Sequence, residues 1–363
     1  MGRDDDRRFM AATIRLARWH DGLTAANPSV GCLIVRDGVI VGRAVTARSG
    51  RPHAEPQALA DAGAKARGAT AYVTLEPCSH HGQTPPCANA LIAAGVARIV
   101  VALTDPDPRV SGRGLALLAA AGIAVESGVL AQEAARGLAP YLTRQMRKSA
   151  HVTLKLAISA DGMIGGPGGT PVAVTGPVAR AQAHVLRAAS DAILVGIGTA
   201  LADDPELTCR LAGLENRSPL RIVLDRDLQL PLSSKLVRTA KTVPVLAVTT
   251  PASLAHGAGY AARRAALQAA GVEILEAGSL ASLLETLAAR GVSSLMVEGG
   301  ASVAKAFLDA GLVDRIRLFE GPGTIGADGI ASPLTRAHIG ERFALLRESR
   351  LGPDLCFDYE RKT

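Results

Sequence analysis

The sequence predicts an α/β fold in two consecutive domains, and three observations carry that prediction. Apolar segments of strand length alternate with helical patterns along nearly the whole chain, as in helices layered on sheets. At 363 residues the chain exceeds one ordinary domain and suits two. A second series of strands begins at His151, just after a basic helix end, which sets the domains at residues 1–148 and 149–363. Hydrophobic residues make up 48% of the chain but aromatic ones only 3%, so both cores must be built from Ala, Val, Leu and Ile.

Taken in order, Asp4, Asp5 and Asp6 open a helical pattern with Met10, Ile14 and Ala17 on one face. The acids suit the positive end of the helix dipole. ANPSVG breaks the pattern, and CLIVRDGVIVGRAV reads as two strands around a hairpin turn at Asp37 and Gly38. HAEPQALADAGAKARG is helical from about His53, with Pro56 tolerated in the first turn. ATAYVTLEP, PPCANALIAAGV, ARIVVALTD, GRGLALLAAAGI, AVESGV and LAQEAARGLAPYLTRQMRKS continue the alternation. In the second half HVTLKLAISADGMIG reads as a strand, followed by the turn segment GGPGGTP. GPVARAQAHVLRAAS is helical, DAILVGIGT a buried strand and ALADDPELTCR a loop. PLRIVLDRDLQL, VPVLAVTT and VEILEAG are strands; ASLLETLAARGV is a helix leading to the strand SSLMVEGG, and ASVAKAFLDAG a further helix. DRIRLFEGPGTIG and PDLCFDYER read as closing strands.

The net charge of +7 and a pI near 9.4 favour anionic partners. No long Lys/Arg run or basic–aromatic ladder is present, which favours phosphorylated small molecules over nucleic acid. Five cysteines (Cys32, Cys78, Cys87, Cys209, Cys356) are too few, and odd in number, for a disulfide framework. The charged start MGRDDDRRF lacks a secretory apolar region, and no apolar run approaches the ~18 residues of a membrane span. A cytoplasmic enzyme without membrane or nucleic-acid partners is expected, assembled as a homo-oligomer.

The strongest chemical signal is HAE at 53–55 followed by PCSHHGQTPPC at 77–87. His53, Cys78 and Cys87 supply one nitrogen and two sulfurs, a set that suits zinc with a fourth position left for water. Glu55 is spare and suits proton transfer to and from that water. H-x-E followed by P-C and a second cysteine is the pattern of zinc nucleobase deaminases. Their usual C-x-x-C is here extended to eight intervening residues, with Pro77 and Pro86 each preceding a cysteine. The alternative is a structural zinc with Cys32, His80 or His81 as fourth ligand, which leaves Glu55 without a task.

With NPSVG at 27–31, HAE at 53–55, EPCSHHGQTPPC at 76–87 and DPDPRVSGRG at 105–114, the chain closely resembles the bifunctional deaminase–reductases of riboflavin biosynthesis. The resemblance implies a cytidine-deaminase-like α/β/α first domain. There, water activated at zinc attacks C2 of a diaminopyrimidinone ribosylamine 5′-phosphate and ammonia leaves. It implies Glu55 as general acid/base, Asn27 as a substrate contact and His80 as a wall of the ring pocket. Read from the residues alone, Asn27 is equally a turn residue before Pro28, and His80 an exposed loop side chain. Where the family commonly has another histidine after HAE, this chain has Pro56 and Gln57.

The second half carries no G-x-G-x-x-G fingerprint. Its best anion signal is VEGGAS at 297–302, where a strand passes through two glycines into a helix. A plain strand-to-helix turn would look the same. KLAISADG at 155–162, GTALADDPELTCR at 198–210, RIVLD at 221–225 and VEGGASVAKAFLDAGLVD at 297–314 resemble the family's reductase domain, a dihydrofolate-reductase-like α/β fold. The resemblance implies NADPH contacts from Ala157, Thr199, Asp203 and the run Gly300, Ala301, Ser302, Val303, Ala304, Lys305 and Ala306. It implies substrate contacts from Arg187, Leu207, Arg210 and Glu298, with arginines suited to a 5′-phosphate. Asp203 and Asp204 also read as a turn cap before Pro205, and Arg187 as a solvated helix residue. Pro171 and Ala173 stand where the family often has serine and an aromatic side chain.

Overall fold

The computed structural model describes residues 2–80, 85–170, 172–251 and 258–362. The chain divides into two compact units, Met1–Lys148 and Ser149–Thr363. In the first, helix α1 (Arg3–Ala17) leads to strands β1 (Gly31–Arg36) and β2 (Val39–Val45). Then follow α2 (Ala54–Ala62), β3 (Thr70–Val73), α3 (Cys87–Ala93), β4 (Arg98–Val101), α4 (Arg113–Ala120), β5 (Ala124–Ser127) and α5 (Ala131–Arg147). The strands form one sheet in the order β2-β1-β3-β4-β5. β1 runs antiparallel to β2 and β3, while β3, β4 and β5 are parallel. The expected hairpin is present: Arg36 pairs with Val39, and Asp37 and Gly38 take φ of 50° and 76°, which the tight turn requires.

Two glycines let helices close onto this sheet. A Cβ on Gly31 would lie 2.4 Å from the Thr13 carbonyl of α1, and one on Gly42 would lie 2.2 Å from the Ala58 carbonyl of α2. Period-2 alternation along β1 divides the core accordingly. Leu33 and Val35 pack with Phe9 and Met10 of α1, while Cys32 and Ile34 pack with Ala54 and Ala58 of α2. The result is an α/β/α layering whose apolar contacts are mostly small and aliphatic.

The second unit holds β6 (His151–Ile158), β7 (Met163–Gly165), α6 (Pro177–Ala188), β8 (Ala192–Gly196), α7 (Ile197–Asp203), β9 (Leu220–Leu224), α8 (Lys235–Arg238) and β10 (Val245–Thr249). It continues with α9 (Ala258–Ala269), β11 (Glu273–Glu276), α10 (Leu280–Ala289), β12 (Ser294–Val297), α11 (Ala301–Asp309) and β13 (Arg315–Glu320). It ends in β14 (Ile330–Ala331), α12 (Arg336–Arg342), β15 (Phe343–Leu351) and β16 (Asp354–Arg361). Nine strands order as β11-β10-β9-β8-β12-β6-β13-β16-β15, parallel from β11 to β13 and antiparallel at β16 and β15. Ile193 and Val195 of β8 face one apolar core and Leu194 the other, so both faces of the sheet are covered.

Three readings from the sequence are corrected. HVTLKLAISADGMIG is two strands, β6 and β7, because Ser159 and Asp161 build a turn through hydrogen bonds to Met163 and each other, with Gly162 at φ 84°. The loop assigned to ALADDPELTCR begins inside α7. The strand β15 was not read at all, since its side chains are mostly exposed at the sheet edge and carry no alternation.

Gly42→Ala forces α2 away from β2. We expect it to destabilise the first unit by about 1–3 kcal/mol, read as a lower denaturation midpoint with unchanged secondary-structure content. An unchanged midpoint would contradict the close-packing account.

Candidate active sites

In the first unit the chemistry gathers where β3 ends and α2 and α3 begin. His53 is the N-cap of α2, Glu55 lies in its first turn, Cys78 follows β3, and Cys87 is the first residue of α3. His53 Nδ1 stands 3.7 Å from Cys78 Sγ and 3.4 Å from Cys87 Sγ, and the three donor atoms all lie within 4.8 Å of one another. Zinc bound at ordinary Zn–S and Zn–N lengths in a tetrahedron spaces sulfur and nitrogen roughly 3.5 Å apart. The donor set therefore fits zinc in both chemistry and spacing. Cys32 and His80 are not part of this cluster, and His81 lies outside the described residues. Among the described residues, then, the cluster offers three protein ligands.

The electrostatics suit the same use. The Cys78 thiol is held down at about 4 by a hydrogen bond from Cys87, aided by His53 and by the Cys87 backbone N–H at 3.3 Å. Glu55 is 3% exposed, and burial pushes its carboxyl up despite the opposing charge of His53. A raised carboxyl accepts and returns a proton more readily near neutral pH. The Gln57 amide donates to the carbonyls of Val45 (3.1 Å), Pro52 (2.9 Å) and His53 (2.8 Å), so it pins the start of α2. That gives the departure noted at this position a structural task.

A cavity of about 740 Å³ opens beside the cluster, lined by Asn27, His53, Glu55, Cys78 and His80 among others. Asn27 is thus both turn and wall. Its backbone exchanges hydrogen bonds with Thr24, and a Cβ on Gly50 would lie 2.2 Å from its Nδ2. His80 presents a buried Nδ1 with no hydrogen-bond partner among the described residues, a group suited to a polar ligand. Arg51, Arg109 and Arg144 bring positive charge to the same walls.

Sequence reasoning gave Glu76 no role of its own. Its carboxylate accepts from the backbone N–H groups of Asp105 (3.2 Å), Gly112 (2.9 Å), Gly114 (2.9 Å) and Leu115 (3.3 Å). It ties the segment carrying Cys78 to the start of α4, where a Cβ on Gly114 would meet the Pro77 carbonyl at 2.1 Å. The 105–114 motif is thereby a brace for the metal segment. A carboxylate two residues before Cys78, paired with a glycine-rich helix start, is the signal that could have revealed it.

The second unit's site lies where β8 and β12 adjoin. The chain after β8 moves outward to β9, β10 and β11, whereas β12 lies between β8 and β6, so a crevice opens at their carboxyl ends. α7 and α11 both start there. Thr199 Oγ1 accepts from the Gly300 backbone N–H at 3.1 Å, and a Cβ on Gly196 would lie 2.7 Å from Val303. The two helix starts are therefore joined. Within the run from Gly300, Ala304 is buried in the core and Lys305 pairs with Asp309 at 2.7 Å, leaving the helix start as the anion-attracting part. Asp203 is exposed at the end of α7, whereas Asp204 accepts from Lys235 N, the first backbone N–H of α8, at 2.8 Å.

An adjoining cavity of about 290 Å³ brings together Ala157, Ala173, Arg187, Arg210 and Glu298; Pro171 lies outside the described residues. Leu207 is not brought there: it is 3% exposed, with φ 56°, and its side chain packs in the core beside Ile193 and Val223. The sequence also gave no role to Lys155, which β6 aims at Glu298. Glu298 accepts from Lys155 at 3.0 Å and from Arg187 at 2.9 Å and 3.1 Å. Burial would raise its carboxyl, but Lys155 and Arg187 overcome this and hold it at about 2. Arg187 is thus an ion-paired wall residue, not a solvated one. Since Glu298 falls from an ordinary 4.5, its stabilisation is full above that value and is lost as pH falls towards 2. The second unit should lose about 3 kcal/mol over this window. Denaturation across it should fall more steeply in wild type than in Glu298→Gln, other carboxylates titrating alike in both; equal slopes would contradict the pairing.

Comparison with known proteins matches this geometry. Residues 3–103 match the cytidine and deoxycytidylate deaminase zinc-binding region, and residues 150–357 match the RibD C-terminal domain. The riboflavin biosynthesis protein RibD of Aquifex aeolicus is 37% identical over 99% of this chain and 100% of its own. The solved structure of Acinetobacter baumannii RibD, form 1, superposes with a TM-score of 0.88 at 35% identity, covering 100% of both chains. A diaminohydroxyphosphoribosylaminopyrimidine deaminase/5-amino-6-(5-phosphoribosylamino)uracil reductase from Thermotoga maritima gives 0.85 at 32% identity, over 99% of each chain. A deaminase zinc-binding region with its His53, Cys78 and Cys87 cluster, followed by a reductase domain of the dihydrofolate-reductase-like class, places the chain in the RibD family of bifunctional riboflavin-biosynthesis deaminase–reductases.

Proposed function

We propose that the first unit deaminates 2,5-diamino-6-ribosylamino-4(3H)-pyrimidinone 5′-phosphate and that the second reduces its ribosyl group with NADPH. The product is 5-amino-6-ribitylaminouracil 5′-phosphate. The observation that carries the first half is the buried Glu55 beside three donors spaced for zinc. Zinc, when bound there, supplies a water acidified to near neutral pH. His53, Cys78 and Cys87 would hold the metal. Glu55 takes the water's proton and delivers it to the departing amine. Its burial favours this because it raises the carboxyl's affinity for a proton. Asn27 and His80 orient the pyrimidine against that carboxylate.

In the second unit, NADPH supplies a hydride to C1′ when bound along the joined starts of α7 and α11. Thr199, Asp203 and the segment from Gly300 to Ala306 are its proposed contacts, with Ala157 on the floor of the adjoining cavity. Arg187 and Arg210 receive the 5′-phosphate. Glu298, ionised throughout the working pH range, fixes Lys155 and Arg187 so that the ribosyl group meets donors already in position. Leu207, whose side chain packs in the core, is proposed to meet the substrate through its backbone beside Arg210.

Glu55→Gln should keep its bound zinc, since the ligands are untouched, while ammonia release falls by at least about a hundredfold. Metal analysis beside an ammonia assay reads both. Loss of zinc together with activity would favour a structural centre, and full activity would remove Glu55 from the mechanism.

A further inference from the structure

His184 has no part in the scheme so far. It lies on α6, one helical turn before Arg187, and lines the reductase cavity. Its Nδ1 accepts a hydrogen bond from the backbone N–H of Arg210 at 3.3 Å. The Thr208 carbonyl also lies against the ring and favours its charged form, while accepting from Arg187 at 3.2 Å. A donor and an acceptor of one short segment therefore meet the same imidazole. Neutral histidine is held by the first of these groups and charged histidine by the second.

The 206–210 segment that sets this geometry is itself fixed. Arg221, 0% exposed, donates to the Glu206 carbonyl at 3.1 Å and to the Thr239 hydroxyl at 2.8 Å. With Nδ1 committed to that segment, Nε2 is the nitrogen left for a ligand. The charges facing the ring's surroundings are Arg180 and Arg187 from α6, Lys155 from β6, Glu298 after β12, and Arg210 with its partner Glu206. Glu298 is taken up by Lys155 and Arg187, and Glu206 pairs with Arg210 at 3.2 Å. Positive charge at this wall is thus in excess.

We propose that His184 is a further substrate-recognition residue of the reductase, donating from Nε2 to the phosphate held by Arg187 and Arg210 and taking up a proton as that phosphate arrives. This rests on the placement of the phosphate given above. In the free protein, burial and the neighbouring Arg187 and Arg210 lower the affinity of His184 for a proton, so the ring starts neutral. A doubly charged phosphate reverses that balance. The added proton goes to Nδ1, which turns from accepting at Arg210 N–H to donating at the Thr208 carbonyl. Nε2 keeps its own proton for the ligand.

The sign of the pH dependence follows. Binding is strongest where the ring is charged and weakens as pH rises through the ligand-bound value, so KM for the reductase substrate rises with pH. A shift of one unit corresponds to a roughly tenfold rise in KM. The test uses the full-length protein with NADPH and 5-amino-6-(5-phosphoribosylamino)uracil. KM is measured between pH 6 and 8 for wild type, His184→Gln and Arg210→Ala, and substrate binding is followed calorimetrically in two buffers of different ionisation enthalpy. NADPH affinity on the same samples reports an intact second unit. The substrate phosphate's own second ionisation, at about 6, acts alike in every variant, so KM of wild type should rise with pH relative to His184→Gln, and wild type should take up more protons than that variant. If Arg210→Ala raises KM while His184→Gln matches wild type in slope and uptake, the inference fails and the phosphate placement stands. If Arg210→Ala leaves KM unchanged, the placement fails and the inference falls with it.

Discussion

The metal chemistry of the first unit depends on holding one imidazole nitrogen 3.7 and 3.4 Å from two sulfurs. The protein achieves it through backbone. Gln57 fixes the start of α2 by three hydrogen bonds to carbonyls. Glu76 fixes the segment after β3 by gathering four backbone N–H groups, and the Cys87 N–H donates directly to Cys78 Sγ. His53 and Cys78 are thus positioned by polar side chains whose hydrogen bonds go to the backbone, half-buried at Gln57 and buried at Glu76.

The second unit meets a related demand with charge. Glu298 sits at the carboxyl end of β12 between Lys155 and Arg187, in surroundings that penalise a lone carboxylate. The pairing keeps Glu298 ionised and orients two cations towards one small cavity. Next to it, the crevice between β8 and β12 joins two helix starts through Thr199 and Gly300. The parallel topology determines where both features lie, and side chains then select what can bind there.

The metal set and its carboxylate were legible in the sequence because they form a compact pattern, with two partners separated by a single residue and two cysteines each preceded by proline. The passage from β12 into α11 was legible for a similar reason, as two glycines between strand and helix. Glu76 and Lys155 were not, since their roles are defined by partners 29 to 39 and 143 residues away. The inward turn of the Leu207 side chain, on a left-handed backbone, was not legible, because no local pattern signals it. Strand β15 escaped because an exposed edge carries no buried face to impose alternation. Local chemistry is readable from spacing, whereas long-range pairing and edge position are properties of the folded chain.

The central claim is that one chain carries out two consecutive steps. The most direct measurement supplies the diaminopyrimidinone nucleotide and NADPH to the zinc-loaded protein and follows ammonia released, NADPH oxidised and product mass together. The account predicts one NADPH consumed per ammonia and a product both deaminated and reduced. Ammonia release with accumulation of the unreduced uracil, and no NADPH consumption, would contradict it.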